Sequence, residues 1–299
     1  MTKAAKGNDN SIASLNIKVI MPTYNAGPSF KKVLDALVSQ EGLTKENILI
    51  IDSSSTDDIK EVIKNAGLIC HTISQSEFGH GTTRQHAAEM ASDAELLVYL
   101  TQDALLNDKT SIQTLCSYIL QDDTLAAAYG RQLPYPSTNL AGTFARLYNY
   151  GEISYVRSLA DKAHYGLKTA FMSDSFAVYR RTALMKMGGF KQVGFGEDTC
   201  MAADMLLHGY KVGYCAEATV YHSHSYTLAE EYVRSKIIGQ LHKNEPWLLA
   251  SFGKAEGEGF KYVLSEAKWL VAQGKWYLLP MMLVRDACKY AGYRVGRKS

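Results

Sequence analysis

The sequence predicts an α/β fold, a mainly parallel sheet with a helical extension at its C-terminal end. Three observations carry that expectation. From Ile17 to about Leu120, short apolar runs bounded by turn residues alternate with helically spaced apolar residues, the signature of βαβ units. After Leu120 the alternation loosens, which points to a mixed sheet. From about Leu228 the pattern turns helical and aromatic, and this part holds Trp247, Trp269 and Trp276.

The elements follow in order. Lys18 to Met21 is a strand that ends at Pro22, and Ser29 to Gln40 places Phe30, Val33, Leu34, Leu37 and Val38 on one helical face. Asn47 to Ile51 is the second strand. It stops at Asp52, and after the polar loop Ser53-Ser54-Ser55-Thr56, Asp57 is placed to cap a helix running towards Asn65. A third short strand near Leu68 to Ile73 leads through His80-Gly81-Thr82-Thr83 into a helix carrying Arg84 and Gln85. Leu96 to Leu100 is the fourth strand. Beyond it come a helix over Ser111 to Leu120, an apolar run Ala126 to Gly130, a long helical stretch from Leu140 to Val156, and a strand at Ser175 to Tyr179. Gly194-Phe195-Gly196-Glu197-Asp198 is a turn opening onto a helix over Thr199 to His208. Two short strands, Lys211 to Tyr214 and Thr219 to Tyr221, close the region, and the second exits into His222-Ser223-His224. Residues 1–15 read as a disordered arm, 16–227 as one α/β unit and 228–299 as the helical extension.

Composition narrows the class. A chain of 299 residues, 46% hydrophobic and 21% charged, reads as soluble and globular. The first residues lack the basic-then-apolar pattern of a secretory signal. Five scattered cysteines (Cys70, Cys116, Cys200, Cys215, Cys288) without a C-x-x-C pair argue against a disulfide framework or a zinc cluster and fit a reducing cytoplasm. A net charge of +2 gives no footprint for nucleic acid. The charge is uneven, however: Arg285, Lys289, Arg294, Arg297 and Lys298 stand against Asp286, so the last fifteen residues carry +4 and the rest of the chain −2. The longest apolar run of the extension, Trp276 to Val284, is far shorter than the roughly 20 residues a membrane-spanning helix needs.

Chemistry-bearing residues gather at strand exits. In an open α/β sheet, exits and the helix N-termini that follow them form the ligand crevice. Asp52, Asp103 (in Thr101-Gln102-Asp103) and the pair Glu197-Asp198 supply acids there, and His222 and His224 supply imidazoles. Taken alone, Asp103 suits a turn as well as a ligand. With a histidine it suits Mg²⁺ or Mn²⁺. Asp198, at a helix N-terminus, fits either a plain N-cap or a general base, with Glu197 opposing its ionisation if close. Tyr24, just past the first strand, can stack on a flat base or fill the sheet's edge.

Four segments in order, Pro22-Thr23-Tyr24-Asn25, Asp52-Ser53-Ser54-Ser55-Thr56-Asp57, Thr101-Gln102-Asp103-Ala104 and Gly196-Glu197-Asp198, resemble the family 2 glycosyltransferases of GT-A fold. The resemblance runs from Ile17 to Tyr226. Phe78-Gly79-His80-Gly81-Thr82-Thr83-Arg84 and Val220-Tyr221-His222-Ser223-His224-Ser225-Tyr226 are similar to segments of bacterial rhamnosyltransferases. The resemblance implies that Thr23 and Tyr24 hold the base, that Asp52 accepts from the pyrimidine N3–H, and that Arg84, Gln102 and Glu197 belong to the nucleotide site. It further implies that Asp103 closes an Asp-x-Asp metal motif, that Asp198 is the catalytic base, and that His222 or His224 contacts metal or diphosphate. Thr101 stands where most of the family has an acid, which implies a weaker site for Mg²⁺ or Mn²⁺, filled together with the nucleotide.

The implied activity is inverting transfer of L-rhamnose from dTDP-L-rhamnose to a hydroxyl of a lipid-linked cell-surface polysaccharide. A UDP-hexose donor is the alternative within the family, since uracil and thymine show the same N3–H. A non-catalytic nucleotide-binding scaffold is the alternative outside it, and such a protein would not need both Asp103 and Asp198. The aromatic and basic extension suits either peripheral contact with the inner face of the membrane or packing on the catalytic unit or in a homo-oligomer.

Overall fold

The computed structural model describes residues 15–253 and 256–299. The expected N-terminal arm therefore lies outside the described residues except for Leu15. Along the chain run β1 (Ile17–Thr23), α1 (Phe30–Val38), β2 (Ile48–Asp52), α2 (Ile59–Asn65), β3 (Cys70–Thr72), α3 (His80–Met90), β4 (Leu96–Leu100), β5 (Leu105–Leu106), α4 (Ser111–Ile119) and β6 (Leu125–Leu133). They are followed by α5 (Leu140–Asn149), β7 (Tyr155–Arg157), α6 (Lys162–Tyr165), β8 (Phe176–Arg180), α7 (Arg181–Lys186), α8 (Glu197–Leu207) and β9 (Lys211–Tyr221). The chain ends in α9 (Leu228–Asn244), α10 (Pro246–Phe252), α11 (Glu256–Ala272) and α12 (Leu279–Lys298).

The strands form one mixed sheet in the order β3-β2-β1-β4-β8-β6-β9-β5, with β7 also on β9. The first four are parallel, β8 runs antiparallel between β4 and β6, and β6 and β9 are again parallel. Successive side chains of a strand point to opposite faces, and here both faces are covered. Val19, Met21, Val98 and Leu100 meet Phe30, Leu34, Leu37 and Leu115 on one side. Ile20, Leu97 and Tyr99 meet Ala87, Ala88, Met201 and Met205 on the other. That double burial is why Leu96 to Leu100 reads as an unbroken apolar run. Each large side chain so buried contributes about 1.5–3 kcal/mol.

Several local expectations need correction. The helix from Leu140 ends at Asn149, and Tyr155–Arg157 is a strand, because its backbone pairs with the free edge of β9 at Tyr155↔Tyr214. The two strands expected between Lys211 and Tyr221 are one, interrupted by a shift in register opposite Gly130/Arg131 that takes up the residues around Ala216. The shift lets the second half of β9 reach β5, at Leu105↔Tyr221. Asp57 does not cap α2, whose N-cap is Asp58. Its carboxylate accepts instead from the Gly27 N–H at 3.0 Å, tying the loop after β2 to the loop after β1. Pro22 lies inside β1 rather than ending it, at a point where only β2 still pairs with that strand.

Two close approaches bring the helices onto the site. Gly81 in α3 leaves no room for a side chain, since a Cβ there would stand 2.1 Å from the Lys191 carbonyl and 3.5 Å from the Glu197 Cβ. Gly196 adopts φ +81°, and a Cβ there would meet Leu241 of α9 at 2.5 Å. A glycine is needed at Gly196 on both counts. Helix α9 packs along α12 through Gly239, Gly292 and Gly296 and turns Arg234 and Leu241 towards the sheet. Among the described residues, no helix is long and apolar enough to cross a membrane.

Candidate active site

The sheet's direction explains where the site lies. The C-terminal ends of β1, β2, β4, β6 and β9 point to one edge, and because β8 runs the other way, its beginning arrives at that same edge. A cavity of about 640 Å³ opens there, lined among others by Arg84, Asp103, Asp174, Glu197, Asp198, His222 and His224. Thr23, Tyr24, Asp52 and Gln102 stand outside that lining, in the adjoining loops.

Asp198 is the second residue of α8, so it is not the cap; Gly196 is. Its Oδ1 accepts from the Thr199 N–H at 2.6 Å and its Oδ2 from the Asp174 N–H at 3.3 Å. Burial and the neighbouring Glu197 carboxylate push its carboxyl up to about 6, against the pull of Arg84 and of the two N–H groups. Beneath it lies Arg84, only 5% exposed, whose Nη1 meets Glu197 Oε1 and whose Nε lies 3.3 Å from Asp174 Oδ2. Asp174 also accepts from the Tyr179 hydroxyl at 2.6 Å. Burial first, and then Asp198 and Glu197, lift Asp174 to about 8 in spite of Arg84. Three carboxyls crowd one guanidinium, so the ionised forms of Asp174 and Asp198 oppose each other, and both carboxyls are raised, Asp174 the more.

A second corner lies at the exits of β4, β6 and β9. One ligand atom each of Asp103, His222 and His224 falls within a group whose members are all within 4.8 Å of one another. Both imidazole Nε2 atoms face Asp103 Oδ2, at 3.4 Å and 3.7 Å, and each other at 3.2 Å. Gln132 Nε2 donates to Ser173 Oγ at 2.9 Å, which turns Gln132 Oε1 to His222 Nδ1 at 2.8 Å. The Nδ1–H is thereby engaged and the Nε2 lone pair is left for the cavity, as outer-shell partners of metal-binding histidines commonly arrange. Burial, with His222 beside it, lowers His224 to about 4, so its imidazole is neutral. Burial alone would raise Asp103, but the side chains of His222 and Thr101 beside it outweigh burial and hold the carboxylate well below its ordinary range. Three electron-pair donors turned on one point fit a divalent cation.

The loops after β1, β2 and β4 are laced together. Gln102 clamps the Tyr24 backbone, accepting from its N–H at 2.7 Å and donating to its carbonyl at 3.0 Å. Tyr24 is 43% exposed, so its ring is open to a planar ligand. Asp52 is fully buried. It accepts from the Thr23 and Ser55 hydroxyls and the Ser55 N–H, and Lys60 Nζ stands 3.4 Å away.

Asp52 accepts from donors inside its own loop, and Arg84 and Glu197 are paired with each other while lining the cavity. Asp174 and Gln132 had no part in the sequence reading. The overlooked signal for Asp174 is an acid just before a strand, which becomes meaningful only once β8 is known to run antiparallel.

The sequence profile of glycosyl transferase family 2 matches residues 18–188. The chain belongs to that family. It is 40% identical over 287 residues to the O-antigen chain rhamnosyltransferase RfbN of Salmonella typhimurium, covering 95% of this chain and 90% of that protein. It is also 40% identical over 281 residues to WbaN of Salmonella anatum, with 93% and 88% covered. In structure it resembles the mannosyltransferase PcManGT of Pyrobaculum calidifontis, solved with GDP-Man and Mn²⁺, at a TM-score of 0.61 and 18% identity over 95% of this chain and 87% of that one. TarS 1–349 of S. aureus with UDP-GlcNAc gives 0.56 and 16% over 95% and 90%. This family 2 member is thus a glycosyltransferase, and the expected α/β, GT-A fold holds.

The donor set at the cavity makes a measurable statement about metal. Two imidazoles and a single carboxylate lack the second acid that Thr101 displaces, so Mn²⁺ is expected to bind the nucleotide-free protein weakly and to bind markedly more tightly once dTDP is present. Titration followed by the EPR signal of free Mn²⁺ checks this, and His222→Ala is expected to abolish the dTDP-dependent gain. Tight binding without nucleotide would contradict it.

Proposed function

We propose that this protein transfers L-rhamnose, with inversion, from dTDP-L-rhamnose to a hydroxyl of a growing, lipid-linked O-antigen-type saccharide. The observation that carries the reading is a single cavity with a base on one wall and a cation-ready corner on another, in a chain 40% identical over nearly its full length to two O-antigen chain rhamnosyltransferases.

The residues divide the work. Tyr24, held by Gln102, offers its exposed ring to the thymine, with Thr23 beneath it. Asp103, His222 and His224 would hold a divalent ion, whose chemistry when bound is to neutralise charge on a departing diphosphate. Asp198 takes the proton of the acceptor hydroxyl as that oxygen bonds to the anomeric carbon. The bond from that carbon to the diphosphate oxygen breaks, and its electron pair leaves with dTDP. One base opposite the leaving group makes this a single displacement. A carboxyl poised near 6 is ionised at neutral pH yet still basic enough to accept the proton. Arg84, Glu197 and Asp174 set that poise and touch neither sugar.

The extension supports contact with the cytoplasmic face of the membrane, where a lipid-linked acceptor resides. Trp276, Tyr277, Met281, Leu283 and Val284 are exposed around the start of α12, next to the segment that carries the +4 excess. An exposed apolar and aromatic face beside clustered Lys and Arg suits anionic headgroups.

Asp198→Asn is expected to lower rhamnose transfer by about 10²–10⁴-fold with dTDP affinity nearly unchanged. In the wild type, the base is lost as it protonates, so transfer is expected to fall as pH drops through about 6. Radiolabelled transfer across a pH series checks both, and near-normal turnover by the variant would refute the assignment. The protein is further expected to co-sediment with phosphatidylglycerol vesicles and to lose this when Trp276→Ser and Tyr277→Ser are combined. A stable dimer that those substitutions dissociate, with no vesicle binding by the wild type, would speak for a subunit interface instead.

A further inference from the structure

Arg146 of α5 and Arg234 of α9 line the cavity from two different helices, and neither has a place in the mechanism above. Among the described residues, neither guanidinium is ion-paired to a carboxylate, whereas Arg84, Arg131, Arg180 and Arg285 all are. Their neighbours are aromatic. Arg234 Nη1 donates to the Tyr226 hydroxyl at 3.2 Å, and its guanidinium carbon lies 5.2 Å from the Tyr226 ring centre and 5.3 Å from that of Phe195. Tyr226 stacks in turn on His224, 5.2 Å between ring centres. Arg146 stands 5.8 Å from the Tyr150 ring centre, and its Nε is buried with no hydrogen-bond partner. Both arginines share the cavity lining with Asp103, His222 and His224, and Tyr226 links Arg234 to that corner.

Aromatic faces hold a cation in place without neutralising it. Arg146 is partly withdrawn from water with its Nε unsatisfied and no carboxylate paired to it, which is costly unless a ligand brings the negative charge, and Arg234 stands exposed on the same cavity, free to meet that ligand. We propose that Arg146 and Arg234 form a diphosphate-binding pair. Each guanidinium presents a planar fork of donors that matches phosphate oxygens, and two forks lining one cavity suit an anion with two phosphoryl groups. The inference rests on the glycosyl-transfer reading for its ligand class. The diphosphate has two sources there: the departing nucleoside diphosphate, or the diphosphate through which a lipid carries the acceptor.

Calorimetric titration in EDTA, with the full chain and no metal, separates them. The probes are dTDP, dTMP, which keeps the base and loses one phosphate, and farnesyl diphosphate, which keeps the diphosphate and loses the base. Arg146→Gln and Arg234→Gln are each expected to weaken dTDP about tenfold while leaving dTMP unchanged, and Arg234→Lys to restore part of the loss. A loss confined to farnesyl diphosphate would also support the pair and assign it to the acceptor. The proposal is overturned if the Gln variants bind both diphosphates as the wild type does, if dTMP weakens as much as dTDP, or if the wild type binds neither diphosphate without metal. Wild-type rhamnose transfer measured on the same preparation tests the broader reading separately.

Discussion

The site depends on one buried ionic cluster. Arg84 is held at the meeting point of α3, α8 and the start of β8, and its charge is what allows Glu197 and Asp174 to be buried there at all. Removing one partner from such a group leaves uncompensated charge in a poorly solvated place, at a cost of about 3–5 kcal/mol. The same arrangement sets the chemistry. Burial raises Asp174 and Asp198 first, the excess of carboxylate over guanidinium adds to it, and Asp198, half-open to the cavity, is left near the pH at which it must work.

The cluster can be assembled only because the sheet changes direction. Four parallel strands bring Thr23, Asp52 and Asp103 to one edge, and an antiparallel β8 delivers Asp174 to that edge from its beginning. The bulged β9 then carries His222 and His224 past the end of β6, where Gln132 fixes the first imidazole. Close approaches at Gly81 and Gly196 press α3, α8 and α9 together over this edge, which is why side chains from the C-terminal helices line the cavity.

Much of this was legible in the sequence because strand exits advertise themselves. Leu96–Leu100 followed by Thr101-Gln102-Asp103, and Thr219–Tyr221 followed by His222-Ser223-His224, show an apolar run stopping at a polar side chain, and strand pairing confirms both runs. Strands set by partners elsewhere were less legible. Tyr155–Arg157 is separated from the helix before it by Asn149 and Gly151, a break that the helical reading ran through, and it becomes a strand because β9 offers an open edge. Asp52 and Arg84 show a second gap. Their motifs read as ligand contacts, while their burial and internal partners depend on Ser55, Lys60, Glu197 and Asp174, which lie up to 113 residues away along the chain. Sequence spacing does not report such distances.

The central claim is that burial beside Arg84, together with crowded carboxylates, lifts Asp174 and Asp198. Carboxyl ¹³C NMR of protein labelled at aspartate tests it without relying on turnover. The account predicts one aspartate titrating near 6, absent from Asp198→Asn, and another near 8 that belongs to Asp174. Titration of every aspartate in the ordinary range, around 3.5 with a spread of about one unit, would contradict it.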